Sequence, residues 1–154
     1  GVSEKGGGGE TEGGGEGAAK DKAWAAYIGR LGAAGSRVSM FIAADRAEVD
    51  GCVRMGGPVI ELHAGAYADA WAEERWDDRD AELAKITDMA AYAHDHGLEV
   101  HVGHGLTYDS VGPIAALPTV AELNIGHFII GEAIFRGLGP AIEEMRRCMD
   151  EARG

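Results

Sequence analysis

Four short runs of β-branched and aliphatic residues alternate with stretches of helical spacing, and two of those runs reach the same dipeptide, Gly-His. One is Leu98-Glu-Val-His-Val-Gly-His-Gly-Leu-Thr-Tyr108, and the other is Ala121-Glu-Leu-Asn-Ile-Gly-His-Phe-Ile-Ile-Gly131. A third run, Val59-Ile-Glu-Leu-His-Ala-Gly65, carries an acid and a histidine in its body. Strands separated by helices join through crossovers and lie parallel in one sheet. Polar groups gathered at the C-terminal ends of successive parallel strands are how an α/β barrel builds a site.

The periodicity predicts a leading helix over 18–33, with Trp24, Tyr27, Ile28 and Leu31 on one face, then a strand over 37–43. Asp45 is placed to cap a helix over 46–55 that stops at Gly56-Gly57. A second strand follows Pro58 over 59–63. One long helical stretch covers 69–96, with Leu83, Ile86, Met89, Ala90 and Ala93 inward, and Gly97 closes it. The third strand is 98–103, a weak helix covers about 109–116, the fourth strand is 121–130, and a last helix covers about 138–152. The strands are nearly apolar, which fits burial on both faces. Such an order suits either a barrel or an open doubly wound sheet. The open sheet lacks the Gly-x-Gly-x-x-Gly turn of a dinucleotide site. A (β/α)8 barrel usually takes about 250 residues, so a chain of 154 residues with four strands reads as half of one. Half a barrel would leave open edges near 38–42 and 121–130, which invite self-association.

Residues 1–17 hold nine of the chain's 25 glycines and read as a Gly-rich loop or linker before a barrel portion over 18–154. The formal net charge of −12 argues against a nucleic-acid partner. No apolar run approaches the roughly 20 residues of a membrane span, so no membrane partner is expected. Cys52 and Cys148 have neither metal spacing nor disulfide-framework density, which points to reduced thiols and a cytoplasmic location.

Alternation puts Glu61 on the face opposite Ile60 and Leu62, pointing into a barrel interior, where a carboxylate is costly unless paired or used. His104 is flanked by glycines at a strand end. Imidazole titrates near neutral pH and suits proton transfer there. His63, His101, His104 and His127 could together be metal ligands, but strand-end histidines alone do not show the convergence a metal needs; no metal is expected.

With these strands in hand, the chain resembles the C-terminal part of the pyridoxine 5'-phosphate synthase family of vitamin B6 biosynthesis. The blocks that carry the resemblance are Val38-Ser-Met-Phe-Ile, Ile60-Glu-Leu-His-Ala-Gly-Ala-Tyr-Ala-Asp69, Gly103-His-Gly-Leu-Thr-Tyr108, Glu122-Leu-Asn-Ile-Gly-His-Phe-Ile-Ile-Gly131 and the terminal Glu151-Ala-Arg-Gly154. The resemblance implies a TIM-type (β/α)8 barrel with extra helices, of which this chain would supply the last four strands, and a homo-oligomer, an octamer in the family. It implies condensation of 3-amino-2-oxopropyl phosphate with 1-deoxy-D-xylulose 5-phosphate to pyridoxine 5'-phosphate, inorganic phosphate and water, without metal or organic cofactor.

On that resemblance His104 matches the family's proton donor, and Glu61 matches a glutamate that stabilises the transition state. Gly105, Gly126 and His127 match substrate-binding positions that contact phosphate, a role that suits backbone N–H groups near a helix start. Glu4-Lys5 and Thr11-Glu-Gly-Gly match a loop after the family's fourth strand. The pattern departs at Ser3 for Pro, Gly6 for Arg, Glu10 for a substrate-contacting Thr, and Ala64 for Thr. The bases and phosphate-binding arginines of the family's first three strands have no counterpart in these residues. The competing expectations are a half-barrel that only binds phosphate or self-associates, and a metal-dependent hydrolase built on the four histidines.

Overall fold

The computed structural model describes residues 14–154, with side chains from residue 21 onward. The matches at Glu4, Lys5 and Thr11 and the departures at Ser3, Gly6 and Glu10 lie outside the described residues. So does the expected Gly-rich loop up to residue 13, while residues 14–17, expected in that loop, begin the first helix.

The element order is α1 (Gly14–Ala33), β1 (Ser39–Ile42), α2 (Arg46–Met55), β2 (Val59–His63), α3 (Gly65–Ala72), α4 (Trp76–Asp95), β3 (Glu99–Gly103), α5 (Val111–Ala115), β4 (Val120–Asn124), α6 (His127–Arg136) and α7 (Leu138–Arg153). The four strands form one parallel sheet in the order β1-β2-β3-β4. Strand order therefore follows chain order with no reversal, unlike the doubly wound alternative, which needs a switch point.

The core lies between the helices and one face of this sheet. Ile60 and Leu62 of β2 and Val100 and Val102 of β3 pack with Val49 and Cys52 of α2, Tyr67 of α3, Ile86, Ala90 and Ala93 of α4, and Ile114 of α5. The inward set expected for the long helical stretch is recovered, Leu83 and Met89 lying partly buried beside it. Alternation turns Phe41, Glu61, His63 and His101 to the opposite face. Burial on both faces therefore holds best for the central strands and fails for β1 and most of β4. A register shift between Val100 and His101 keeps Val120 in the core while bringing Glu122 opposite His101 and Asn124 opposite Gly103.

Asp45 caps α2 as expected, its Oδ1 accepting from the backbone N–H of Ala47 at 2.9 Å and of Glu48 at 3.3 Å. Gly56 closes that helix in the left-handed region, at φ 72°.

Two elements differ from the sequence expectation. The single helical stretch over 69–96 is two helices, α3 and α4, broken at Glu74, which sits at φ 56°. No Gly or Pro marks the break. An aromatic joint holds it, with Trp71 and Trp76 edge-on at 6.2 Å and the Arg79 guanidinium about 5 Å from both rings. The fourth strand stops at Asn124 instead of running to residue 130, and the following apolar residues form α6. The second Gly-His is therefore the N-cap and first residue of a helix, not the end of a strand.

Candidate functional site

Glu61, His104, Gly105, Gly126 and His127 line one cleft of about 520 Å³, together with Phe41, Leu106, Asn124, Ile125 and Phe128. All of these lie on β1, β2 and β4 or just beyond the C-terminal ends of β3 and β4. Every residue expected to bind substrate or carry chemistry is thus brought to one place.

Gly103 decides how the cleft is built. It ends β3 between His63 and Asn124 in the register. A Cβ there would stand 2.1 Å from Glu61 Oε1 and 3.0 Å from Asn124 Cβ. Its missing side chain lets Glu61 of β2 reach over β3 to Asn124 of β4, whose Nδ2 donates to Glu61 Oε2 at 2.9 Å. The carboxylate is thereby aimed and held by one neutral donor.

His104 follows at φ 75°. A non-glycine residue in the left-handed region costs roughly 1–2 kcal/mol, and such strain gathers at functional sites. The backbone N–H of His104 reaches Asn124 O at 3.5 Å. Its exposed ring stacks on His63, centroids 4.5 Å apart and planes 29° from parallel, with Phe41 tilted against it at 6.4 Å. Gly105 also has positive φ, 86°, and a Cβ there would meet Ala68 Cβ of α3 at 2.8 Å. Only glycine satisfies both constraints, and the backbone stays bare towards the cleft.

Gly126 caps α6 without a side-chain hydrogen bond, and His127 is its first residue. Among the described residues no atom beyond its own chain neighbours lies within 4 Å of where a Gly126 Cβ would stand. An open helix N-terminus with a neighbouring imidazole can accept an anion through backbone N–H groups.

His101 has a different setting. Although it shares the polar face, it is buried, with Nε2 2.8 Å from Glu99 Oε1 and Nδ1 3.5 Å from Glu122 Oε1. Arg37 pairs with the same Glu99, and first Arg37 and then His101 hold that carboxyl below its usual range. Arg37, Glu99, His101 and Glu122 thus form a cross-strand charge cluster. Among the described residues no three His, Cys, Asp or Glu side chains are grouped as a metal would need. Cys52 is buried and Cys148 half-buried, and neither is in a disulfide.

Asn124, Phe41 and the stacking role of His63 were missed from the sequence. Each depends on cross-strand register, which spacing along one strand does not reveal. The proximity of His63 to Gly103 follows only once β2 and β3 are aligned.

A parallel α/β sheet carrying a carboxylate, an imidazole and glycine turns at its strand ends is the arrangement from which α/β folds of the barrel class build their sites. The family model described as "Pyridoxal phosphate biosynthesis protein PdxJ" matches residues 2–151, and the chain belongs to this family. It is 62% identical over 143 residues to the pyridoxine 5'-phosphate synthases of Roseobacter denitrificans and Ruegeria pomeroyi, 93% of this chain against 57% and 58% of those relatives. The synthase of Bradyrhizobium diazoefficiens is 49% identical over the same span. The chain spans a little over half the length of these relatives.

Proposed function

We propose that this chain carries the acid and phosphate-binding portion of a pyridoxine 5'-phosphate synthase site and takes part in condensing 3-amino-2-oxopropyl phosphate with 1-deoxy-D-xylulose 5-phosphate. The observation that carries this reading is the convergence of Glu61, His104, Gly105, Gly126 and His127 on one cleft. On this reading the four strands belong to a (β/α)8 barrel. In its support, strand order follows chain order and the core occupies a single face of the sheet.

His104 is the general acid. Its ring stands at the cleft wall and donates a proton to an oxygen that leaves as water or inorganic phosphate. Glu61, aimed by Asn124, opposes positive charge developing on a substrate imine nitrogen. The Gly105 backbone, the N-terminus of α6 and His127 receive a substrate phosphate. The reaction needs no metal or organic cofactor.

The protein works as a homo-oligomer in the cytoplasm. Supporting association, Ile134 and Phe135 of α6 are 77% and 86% exposed, an unusual display of apolar surface. No described helix is long and apolar enough to cross a membrane.

The test is to mix the chain with both substrates and follow pyridoxine 5'-phosphate by absorbance. Turnover that His104→Ala removes supports the reading, and turnover that survives it overturns the acid role. A second reading, a half-barrel that binds phosphate without turnover, is favoured by the free outer edges of β1 and β4 among the described strands. It is distinguished by thermal stabilisation with phosphate and no product.

A further inference from the structure

His104 makes no side-chain hydrogen bond among the described residues, so packing alone sets the direction of its ring. The nearest ring is that of His63, stacked at 4.5 Å with planes 29° from parallel, while Phe41 stands edge-on to His63 at 5.1 Å and tilted to His104 at 6.4 Å. His63 is itself fixed. Its Nδ1 accepts the backbone N–H of Gly65 at 3.2 Å. A ring nitrogen that accepts carries no proton, so this contact selects the neutral ring with hydrogen on Nε2. Gly65 is what admits the ring to this seat, since a Cβ on Gly65 would stand 2.3 Å from His63 Cε1.

We propose that His63 is the positioning residue for His104: the Gly65 amide locks its ring as a neutral, flat platform, and the imidazole of His104 takes its direction by stacking on it. The proposal rests on the reading of His104 as the acid, but the stacking itself stands on geometry.

A neutral platform matters because two stacked imidazolium rings would repel, so the proton needed for chemistry must reside on His104 alone. The surroundings favour that arrangement. Burial first, and the facing His104 second, hold His63 below the ordinary imidazole range, against the opposing pull of Asp69 on α3 and Glu61 on its own strand. Glu48 of α2 and Glu82 and Lys85 of α4 line a second cleft that His63 also borders.

The experiment follows the ring resonances of His104 and His63 by NMR on histidine-labelled chain, in wild type, His63→Phe, His63→Leu and Gly65→Ala, with kcat and KM measured in parallel. Stacking displaces the His104 Cε1–H resonance through the ring current. Retention of that displacement in His63→Phe, its loss in His63→Leu and a shift of both rings in Gly65→Ala are expected. Misplacing a catalytic group by about 1 Å lowers rate on the order of a hundredfold, so His63→Leu should lower kcat by about 10- to 100-fold with KM little changed, and His63→Phe should keep most of it. A His104 resonance unmoved in both His63→Leu and Gly65→Ala overturns the proposal. A wild-type chain without turnover favours the phosphate-binding reading of the cleft, and the NMR outcome then decides the stacking by itself.

Discussion

Glu61 and Asn124 stand on strands that do not neighbour each other, yet Asn124 Nδ2 donates to Glu61 Oε2 at 2.9 Å, directly over Gly103. The relationship predicts two separable effects. Gly103→Ala would drive a methyl into the carboxylate. Overpacking of this kind costs about 1–3 kcal/mol, and a lower melting temperature with lost turnover is expected.

Asn124→Asp replaces the neutral donor by a second carboxylate. Like charges in hydrogen-bond range repel, so this variant should lose more stability at pH 8 than at pH 4. Asn124→Leu, which only removes the donor to the carboxylate, should show a smaller difference of the same sign. Thermal melts of the two variants across that range check it.

His104 tests whether backbone strain is kept for function. At φ 75° a glycine would sit without the Cβ penalty. His104→Gly should therefore be no less stable than wild type, by up to about 1 kcal/mol more stable, since relief of roughly 1–2 kcal/mol is partly offset by glycine's entropy. Turnover should vanish. Denaturant melts read beside an activity assay decide this, and marked destabilisation would show that the ring, not the backbone, dominates there.

The buried hydroxyl of Tyr67 donates to Ser110 O at 2.8 Å and joins α3 to the segment before α5. Burial pushes this hydroxyl up from 10.0 to about 12, and burial followed by Glu48 pushes the Cys52 thiol up from 9.0 to about 11. Both folded-state values are raised above the unfolded ones, so the neutral groups' contribution is fully present below pH 9 and is lost as pH rises through about 11 and 12. Tyr67→Phe should lose about 1 kcal/mol at pH 7, the net worth of one hydrogen bond, and should unfold less steeply between pH 10 and 12.

Arg153 accounts for the terminal Glu-Ala-Arg-Gly in structural terms. Its Nε donates to Ala115 O at 2.8 Å and its Nη2 to Val120 O at 2.6 Å, tying α7 to the end of α5 and the start of β4. Charged donors to backbone carbonyls are worth about 1.5–3 kcal/mol. Arg153→Ala should lower stability by that order, and Arg153→Lys should recover only part, because a point charge does not reproduce the guanidinium's two-pronged geometry. Chemical denaturation of both variants measures it.

Much of this site was legible in the sequence because glycines punctuate it. Gly103-His104-Gly105 and Gly126-His127 announce turns where backbone comes close to something, and alternation around Ile60 and Leu62 places Glu61 away from the core. The end of β4 was not legible, because Ile125 to Ile130 is as apolar as a strand and only the N-cap at Gly126 separates β4 from α6. The break at Glu74 was hidden for the opposite reason. No helix breaker stands there, and contacts from Trp71, Trp76 and Arg79 impose it. Asn124 and the His63 stack belong to register, which emerges only when strands distant in sequence are laid side by side.

The measurement closest to the centre of this account is an amide NMR titration of the chain with inorganic phosphate. The account predicts saturable shifts at the backbone amides of Gly105, Gly126 and His127, with the His127 ring moving alongside them. Saturable shifts confined to other parts of the chain, or none at phosphate well above substrate levels, would contradict it.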